Sequence, residues 1–129
     1  MTGDFDGDGK PDVITSNFSG NSVSFLGGNA DGTFRAGVSS AVGTLPRGVI
    51  AGDLSFDGVL DLAVAHQGSG DLRVLLGDGS GAFSLALTLT AGTTPFSSEI
   101  GAFNGDGALD LAVANFTAAG NVSILLSDP

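Results

Sequence analysis

The stretch Asp4-Phe5-Asp6-Gly7-Asp8-Gly9-Lys10-Pro11-Asp12 places carboxylates at positions 1, 3, 5 and 9 of a glycine-punctuated segment. Oxygen ligands at this spacing, completed by a backbone carbonyl at position 7, can enclose a hard cation that takes roughly six to eight oxygens. The apolar pair Val13-Ile14 follows at once, as is typical of a strand that enters a core. The stretch therefore predicts a calcium-binding loop leading into a β-strand. The predicted ligands are the side chains of Asp4, Asp6, Asp8 and Asp12 and the carbonyl of Lys10.

The same stretch recurs twice in altered form, at an equal period along the chain. A glycine and an aspartate both keep a spacing of 49 residues (Gly3, Gly52 and Gly101; Asp12, Asp61 and Asp110). Three copies at one period indicate a repeat protein, because the match cannot be explained by one chance alignment. We expect a single domain over residues 1–129 with repeats at approximately 1–45, 46–94 and 95–129.

Each repeat is predicted to contain four short strands. The first strand is entered through proline (46–52 and 95–101), and the second is apolar on both faces (13–16, 62–65 and 111–114), as in a strand between two layers. The third alternates more clearly (23–26, 72–76 and 122–126), and a fourth begins at Phe34 or Phe83 after a glycine-rich turn. No stretch shows a helical period. The pattern predicts an all-β chain of four-stranded antiparallel meanders, the units of a β-propeller.

The number of repeats predicts assembly. The chain holds about 2.5 to 3 blades, and it opens at the end of a first strand and stops after a third one. A propeller closes with roughly four to eight blades. We therefore expect completion by a homo-oligomer, with a dimer forming a six-bladed ring as the first expectation. The alternative is that the chain is a fragment of a longer protein.

The second and third loops carry weaker ligand sets than the first. The second offers Asp53, Ser55, Asp57 and Asp61 with the carbonyl of Val59, and the third offers Asn104, Asp106 and Asp110 with the carbonyl of Ala108. Ala102 removes the position-1 ligand of the third loop. Calcium affinity is therefore expected to fall from the first loop to the third. An EF-hand is excluded because Thr15 stands where its glutamate is needed, and a phosphate-binding loop is excluded because Pro11 follows Lys10.

Composition restricts the function classes. The chain has 22 Gly, 42% hydrophobic residues and a net charge of −10, a combination that favours short strands and tight turns over disorder. Nine of the 14 acidic residues lie in the three loops, so we attribute the acidity to metal binding. Only 4 Lys and Arg are present, which argues against nucleic acid, and no apolar run approaches the roughly 20 residues of a membrane span.

Catalysis is not expected. The chain has no Cys and a single histidine, His66, which corresponds to Asn17 and Asn115 of the other repeats and is interpreted as a turn residue. No nucleophilic triad can be assembled from this set, and the predicted metal sites use most of the carboxylates that glycoside chemistry would need. Phe18 and Phe116 lie on polar turns. They are interpreted either as buried between blades or as contacts for a sugar or a protein partner.

Residues 3–12 together with Val23-Ser24-Phe25-Leu26-Gly27-Gly28-Asn29-Ala30-Asp31-Gly32-Thr33-Phe34 resemble the FG-GAP/VCBS repeat of integrin-α-like β-propellers. The resemblance implies a β-propeller with a calcium site between the first and second strands of each blade, in a secreted or cell-surface protein. We therefore expect a non-enzymatic, calcium-binding module that serves as an extracellular scaffold or a recognition or adhesion surface. The alternatives are a carbohydrate-binding, lectin-like module and a repeat fragment that assembles into a ring.

Overall fold

The computed structural model describes residues 1–127, which form eleven β-strands and no helix. The strands are β1 Thr2–Gly3, β2 Asp12–Asn17, β3 Ser22–Leu26, β4 Val38–Ala41, β5 Pro46–Gly52, β6 Asp61–His66, β7 Asp71–Gly77, β8 Phe83–Thr90, β9 Pro95–Gly101, β10 Asp110–Asn115 and β11 Asn121–Leu125. Within the described residues, nothing forms a helix that is long and apolar enough to cross a membrane. The all-β prediction is confirmed.

The strands form three antiparallel sheets in which consecutive strands pair. The first sheet has the order β1-β2-β3-β4, the second β5-β6-β7-β8 and the third β9-β10-β11. Glycine turns make these meanders possible: between β7 and β8, Gly79 and Gly81 adopt φ of 73° and 85°, a region that few other residues tolerate. The three sheets therefore follow the order of the three repeats in the sequence.

The core lies in two layers on either side of the second sheet. One layer joins the first and second sheets and contains Ile14, Leu62 and Val64, all fully buried. The other joins the second and third sheets and contains Ala63 and Val113. Successive side chains of β6 thus enter opposite layers, and all six residues of that strand are buried. The predicted apolar strand between two layers is confirmed.

Two details of the predicted strands need correction. In the first sheet the fourth strand begins at Val38, not at Phe34, which makes only an isolated bridge to Gly28. The third sheet has three strands within residues 1–127, so the four-stranded pattern holds for two of the three sheets. The end of the third repeat, at Asp128 and Pro129, lies outside the described residues.

The connections between first and second strands lie at one end of the sheets. In the second sheet Gly52 pairs with Asp61 beside the acidic loop, whereas Pro46 pairs with His66 at the far end. The third sheet repeats this arrangement, with Gly101 opposite Asp110 and Pro95 opposite Asn115. The acidic loops therefore occupy one rim of the stacked sheets, and the entrances to the first strands occupy the other.

Candidate metal centres

The three acidic loops share one backbone conformation. Each has positive φ at the fourth and sixth loop positions: Gly7 71° and Gly9 79°, Phe56 59° and Gly58 87°, Gly105 79° and Gly107 92°. Phe56 adopts this conformation although a side chain with a Cβ disfavours it. The loop shape is therefore retained even where the sequence has replaced a glycine.

The first loop gathers three carboxylates. One ligand oxygen each from Asp4, Asp6 and Asp8 lies within 4.8 Å of the others, and these three form the only such group of acidic side chains or histidine in residues 1–127. Backbone N–H groups orient them, since Gly9 donates to Oδ2 of Asp4 (3.0 Å) and Lys10 donates to Oδ1 of Asp8 (2.9 Å). The loop thus holds its acidic side chains together by its own turns.

Positive side chains already approach this cluster. The Arg35 guanidinium contacts Asp6 and lies 3.9 Å from Oδ2 of Asp8, and Nζ of Lys10 lies 2.9 Å from the same Asp8 oxygen. The hydrogen bonds from the Lys10 side chain and backbone lower the pKa of Asp8, and the hydrogen bond to Asp6 raises the pKa of Arg35. Arg35 was not predicted as part of the site, because it lies 29 residues from Asp6 and the repeat pattern does not include it. The cluster is negatively charged, and the two cationic side chains beside it show that the site attracts positive charge.

The second and third loops keep the turns but not the cluster. In the second loop both oxygens of Asp53 accept backbone bonds, from Asp57 (3.0 Å) and Gly58 (2.9 Å), and the Val59 N–H donates to Asp57 (2.8 Å), while Ser55 is exposed. In the third loop the Asn104 amide donates to Asp106 (2.6 Å), and the Ala108 N–H donates to the other oxygen of Asp106 (2.8 Å). These residues lie in the predicted loops, and all three loops share the backbone bond from the seventh loop position to the side chain at the fifth.

The aspartate at position 9 has a structural role that the sequence pattern did not reveal. Asp12, Asp61 and Asp110 are each 0% exposed. One carboxylate oxygen accepts a backbone N–H from the acidic loop. The other accepts a backbone N–H from a residue at, or just after, the end of the third strand. For Asp12 these donors are the N–H groups of Phe5 (2.9 Å) and Gly28 (2.8 Å). For the other two copies they are Leu54 (2.9 Å) and Gly77 (3.0 Å), and Phe103 (2.7 Å) and Ser127 (2.9 Å). Each of these aspartates therefore joins the acidic loop to the end of the third strand.

Burial and hydrogen bonding act in opposite directions on this aspartate. Burial of Asp110 acts to raise its pKa, but the backbone N–H groups of Ser127, Phe103 and Asn104 together lower the pKa below its ordinary value. Asp110 is thus held as a carboxylate mainly by backbone donors, and a hydrogen bond from the Ser127 side chain contributes in the same direction. A carboxylate offers about four lone-pair sites, so these bonds leave acceptor capacity for a metal ion.

The remaining titratable residue singled out in the sequence, His66, lies away from the acidic loops. It is the last residue of β6 and is fully buried. Its Nε2 accepts the N–H of Gly43 (2.9 Å), and its Nδ1 lies 2.9 Å from Oδ1 of Asp71. Burial is the main reason that the pKa of His66 is lowered from its ordinary 6.5. The ring joins β6 to the connection between the first and second sheets.

Three antiparallel meanders, each with an acidic glycine loop between its first and second strands, define a β-rich repeat protein whose units fit propeller blades. The model of the FG-GAP-like repeat matches residues 4–64 and 57–113. The chain belongs to the FG-GAP-like repeat family. The comparison with curated proteins found no match.

Proposed function

We propose that the chain is a calcium-binding β-propeller module without catalytic activity, which acts as a scaffold or recognition surface in a secreted or cell-surface protein. The observation that supports this proposal most directly is the group formed by Asp4, Asp6 and Asp8, whose oxygens lie within 4.8 Å of one another. Hard carboxylate oxygens at this separation are the donor set that calcium prefers. Extracellular calcium is also abundant enough to fill sites of modest affinity.

The role proposed for calcium is structural. Three ions, each adding two positive charges, would change the formal net charge from −10 to −4. Repulsion within each loop would fall, and part of the binding free energy would stabilise the folded chain. In the first loop calcium would take the charge-neutralising part now played by Arg35 and Lys10. The expected order of affinity remains first, second, third, because the number of carboxylates falls in that order.

Ring completion is proposed on the basis of the third sheet. Among the described residues, β11 pairs on one side only, with β10, and its side chains Val122 and Ile124 are 63% and 50% exposed. An unpaired apolar edge of this kind favours association. We propose a homo-oligomer, with two chains forming a six-bladed ring as the simplest arrangement.

Thermal melting followed by circular dichroism, with calcium and with excess chelator, tests the metal; mass measured by light scattering in the same two buffers tests assembly. We expect the chelator to lower Tm by several degrees and to reduce the mass of the assembly. The Asp8→Asn variant should lose the part of this calcium response that comes from the first loop, whereas Asp31→Asn, in an exposed turn outside the acidic loops, should keep all of it. An unchanged Tm would rule out structural calcium, and a monomer in both buffers would rule out the ring.

A carbohydrate-binding module is the second candidate function. It is favoured by the exposure of Phe18 (38%) and Phe116 (72%), since these rings are available on the surface rather than packed between sheets. The two candidates are compatible, because the acidic loops and these rings lie at opposite ends of the strands.

A further inference from the structure

An arginine lies over two exposed phenyl rings at the rim opposite the acidic loops. Cζ of Arg47 is 4.7 Å from the centroid of Phe18 and 4.8 Å from that of Phe96. Phe96 in turn packs against Phe116, with centroids 5.9 Å apart and planes at 38°. We call these four side chains, together with Gln67, the phenylalanine–arginine shelf. Such contacts restrain the guanidinium because each ring face attracts its charge.

The shelf is built by equivalent positions of the three repeats. Arg47 and Phe96 are the second residues of β5 and β9, and they are 49 positions apart. Phe18, Gln67 and Phe116 each follow directly after β2, β6 and β10, again at that period. The shelf therefore crosses all three sheets at the end of their second strands, opposite the acidic loops. The repeat supplies the positions, and the side chains at those positions make the surface specific to this chain.

Arg47 differs from the other three cations of the protein. Lys10, Arg35 and Arg73 each lie within 4.0 Å of a carboxylate, whereas Arg47 has no carboxylate that close within residues 1–127. Its Nε donates to Oε1 of Gln67 (2.6 Å), and its two terminal nitrogens make no hydrogen bond with the described part of the chain. In a chain of net charge −10, this is an exposed positive group with donors available for an anion.

We propose that the phenylalanine–arginine shelf binds a glycan that carries uronate groups. The terminal nitrogens of Arg47 donate to the sugar carboxylate, an arrangement in which guanidinium can form two parallel hydrogen bonds. The exposed rings of Phe116 and Phe18 pack against the apolar faces of the sugar rings on either side. This ligand class deepens the carbohydrate-binding candidate, rests on it, and does not depend on calcium.

The size of the shelf favours a glycan over a protein partner. A standard protein–protein interface uses roughly 20–30 residues on each side, whereas the shelf consists of five side chains. A site of five side chains is small enough to be filled by a short stretch of a sugar chain. A polymer repeats its carboxylate along the chain, so weak binding at one shelf gains strength when several chains are joined in an assembly.

The test is isothermal titration calorimetry with a galacturonate hexamer and with its fully methyl-esterified form, which has the same rings without the charge. We expect the hexamer to bind and the ester to bind at least about tenfold more weakly. Arg47→Gln and Phe116→Ala should each weaken hexamer binding, and Arg47→Lys should weaken it less than Arg47→Gln. The matched control is Phe34→Ala, which removes a 46% exposed ring outside the shelf and should leave binding unchanged.

All substituted side chains are exposed, and circular dichroism with thermal melting checks that each variant is folded. Equal binding of hexamer and ester would overturn the uronate proposal but leave the carbohydrate candidate standing. Binding of neither would overturn both. Hexamer binding that survives Arg47→Gln but disappears with a chelator would show bridging by calcium in the acidic loops, and would also overturn the shelf. Preferential binding of a short acidic peptide at the shelf would identify a protein partner instead.

Discussion

The substitution Asp61→Asn separates the two roles available to the position-9 aspartate, metal ligand and backbone acceptor. In the second sheet Oδ2 of Asp61 accepts from Leu54 (2.9 Å) and Ser55 (3.0 Å), while Oδ1 accepts from Gly77 (3.0 Å). An asparagine has the same shape but only one acceptor oxygen. Whichever way the amide is oriented, its NH2 group faces at least one backbone donor.

The cost follows from these three bonds. The side chain is 0% exposed, so water cannot replace the lost acceptor. Leaving one such donor unpaired costs about 1–3 kcal/mol, and the bonds that remain lose the contribution of the negative charge. We expect Asp61→Asn to lower the free energy of unfolding by about 2–4 kcal/mol, a large share of the roughly 5–15 kcal/mol typical of a domain. The corresponding fall in Tm is about 10 °C.

Urea unfolding in excess chelator is the decisive measurement, because the metal role is then absent. Circular dichroism is the suitable signal, since the chain contains no Trp or Tyr. The matched control is Asp57→Asn, an exposed loop residue whose carboxylate accepts one backbone bond, from Val59 (2.8 Å). It should cost less than about 1 kcal/mol in chelator. If the two variants were equally stable without calcium, the structural role assigned to Asp61 would be wrong.

Two further predictions concern backbone and protonation. Burial is the main reason that the pKa of His66 lies below 6.5, and the bond that Nε2 accepts from the Gly43 N–H also requires a ring that is not doubly protonated. The unfolded chain therefore binds this proton more readily than the folded chain does. The free energy of unfolding should fall as the pH drops below 6.5 towards the lower pKa of the folded state. In urea titrations at several pH values, His66→Asn should remove this pH dependence. Phe56→Gly should raise Tm, because it relieves the backbone strain of a φ of 59°, which costs about 1 kcal/mol, and removes a ring that is 63% exposed. Phe103→Gly, at an exposed ring without positive φ, should not stabilise.

The strands that the repeat marks most strongly were predictable to within a residue or two. The second strand of the second repeat was predicted over 62–65 and is observed at Asp61–His66. Its apolar residues face two layers of the core, so the hydrophobic pattern and the 49-residue period both indicate a strand at the same place. The fourth strand of the first repeat was misplaced because Phe34 aligns with Phe83 but the residues after the two rings differ. Arg35 turns towards Asp6, and Gly37 delays the strand until Val38. The period predicted the position but not this local interruption.

The shelf could not have been assembled from the sequence. Phe18, Arg47, Phe96 and Phe116 are separated by 20 to 49 residues, and only the stacking of the sheets brings them into contact. Arg35 shows the same limit at the acidic rim, because its approach to Asp6 depends on the path of the β3–β4 connection. A repeat predicts which positions are equivalent, but contacts between equivalent positions of neighbouring repeats depend on how the sheets are packed.

The third loop makes the strongest case for the double role of position 9. Its first position is Ala102, so the ligand set is already incomplete, yet Asp110 is retained and fully buried. Backbone groups of Phe103, Asn104 and Ser127 donate to it. These three bonds give Asp110 a structural role in a loop whose position-1 carboxylate is absent. The loop therefore depends on this aspartate for its shape, and the calcium binding that we propose would use a carboxylate that the backbone already requires.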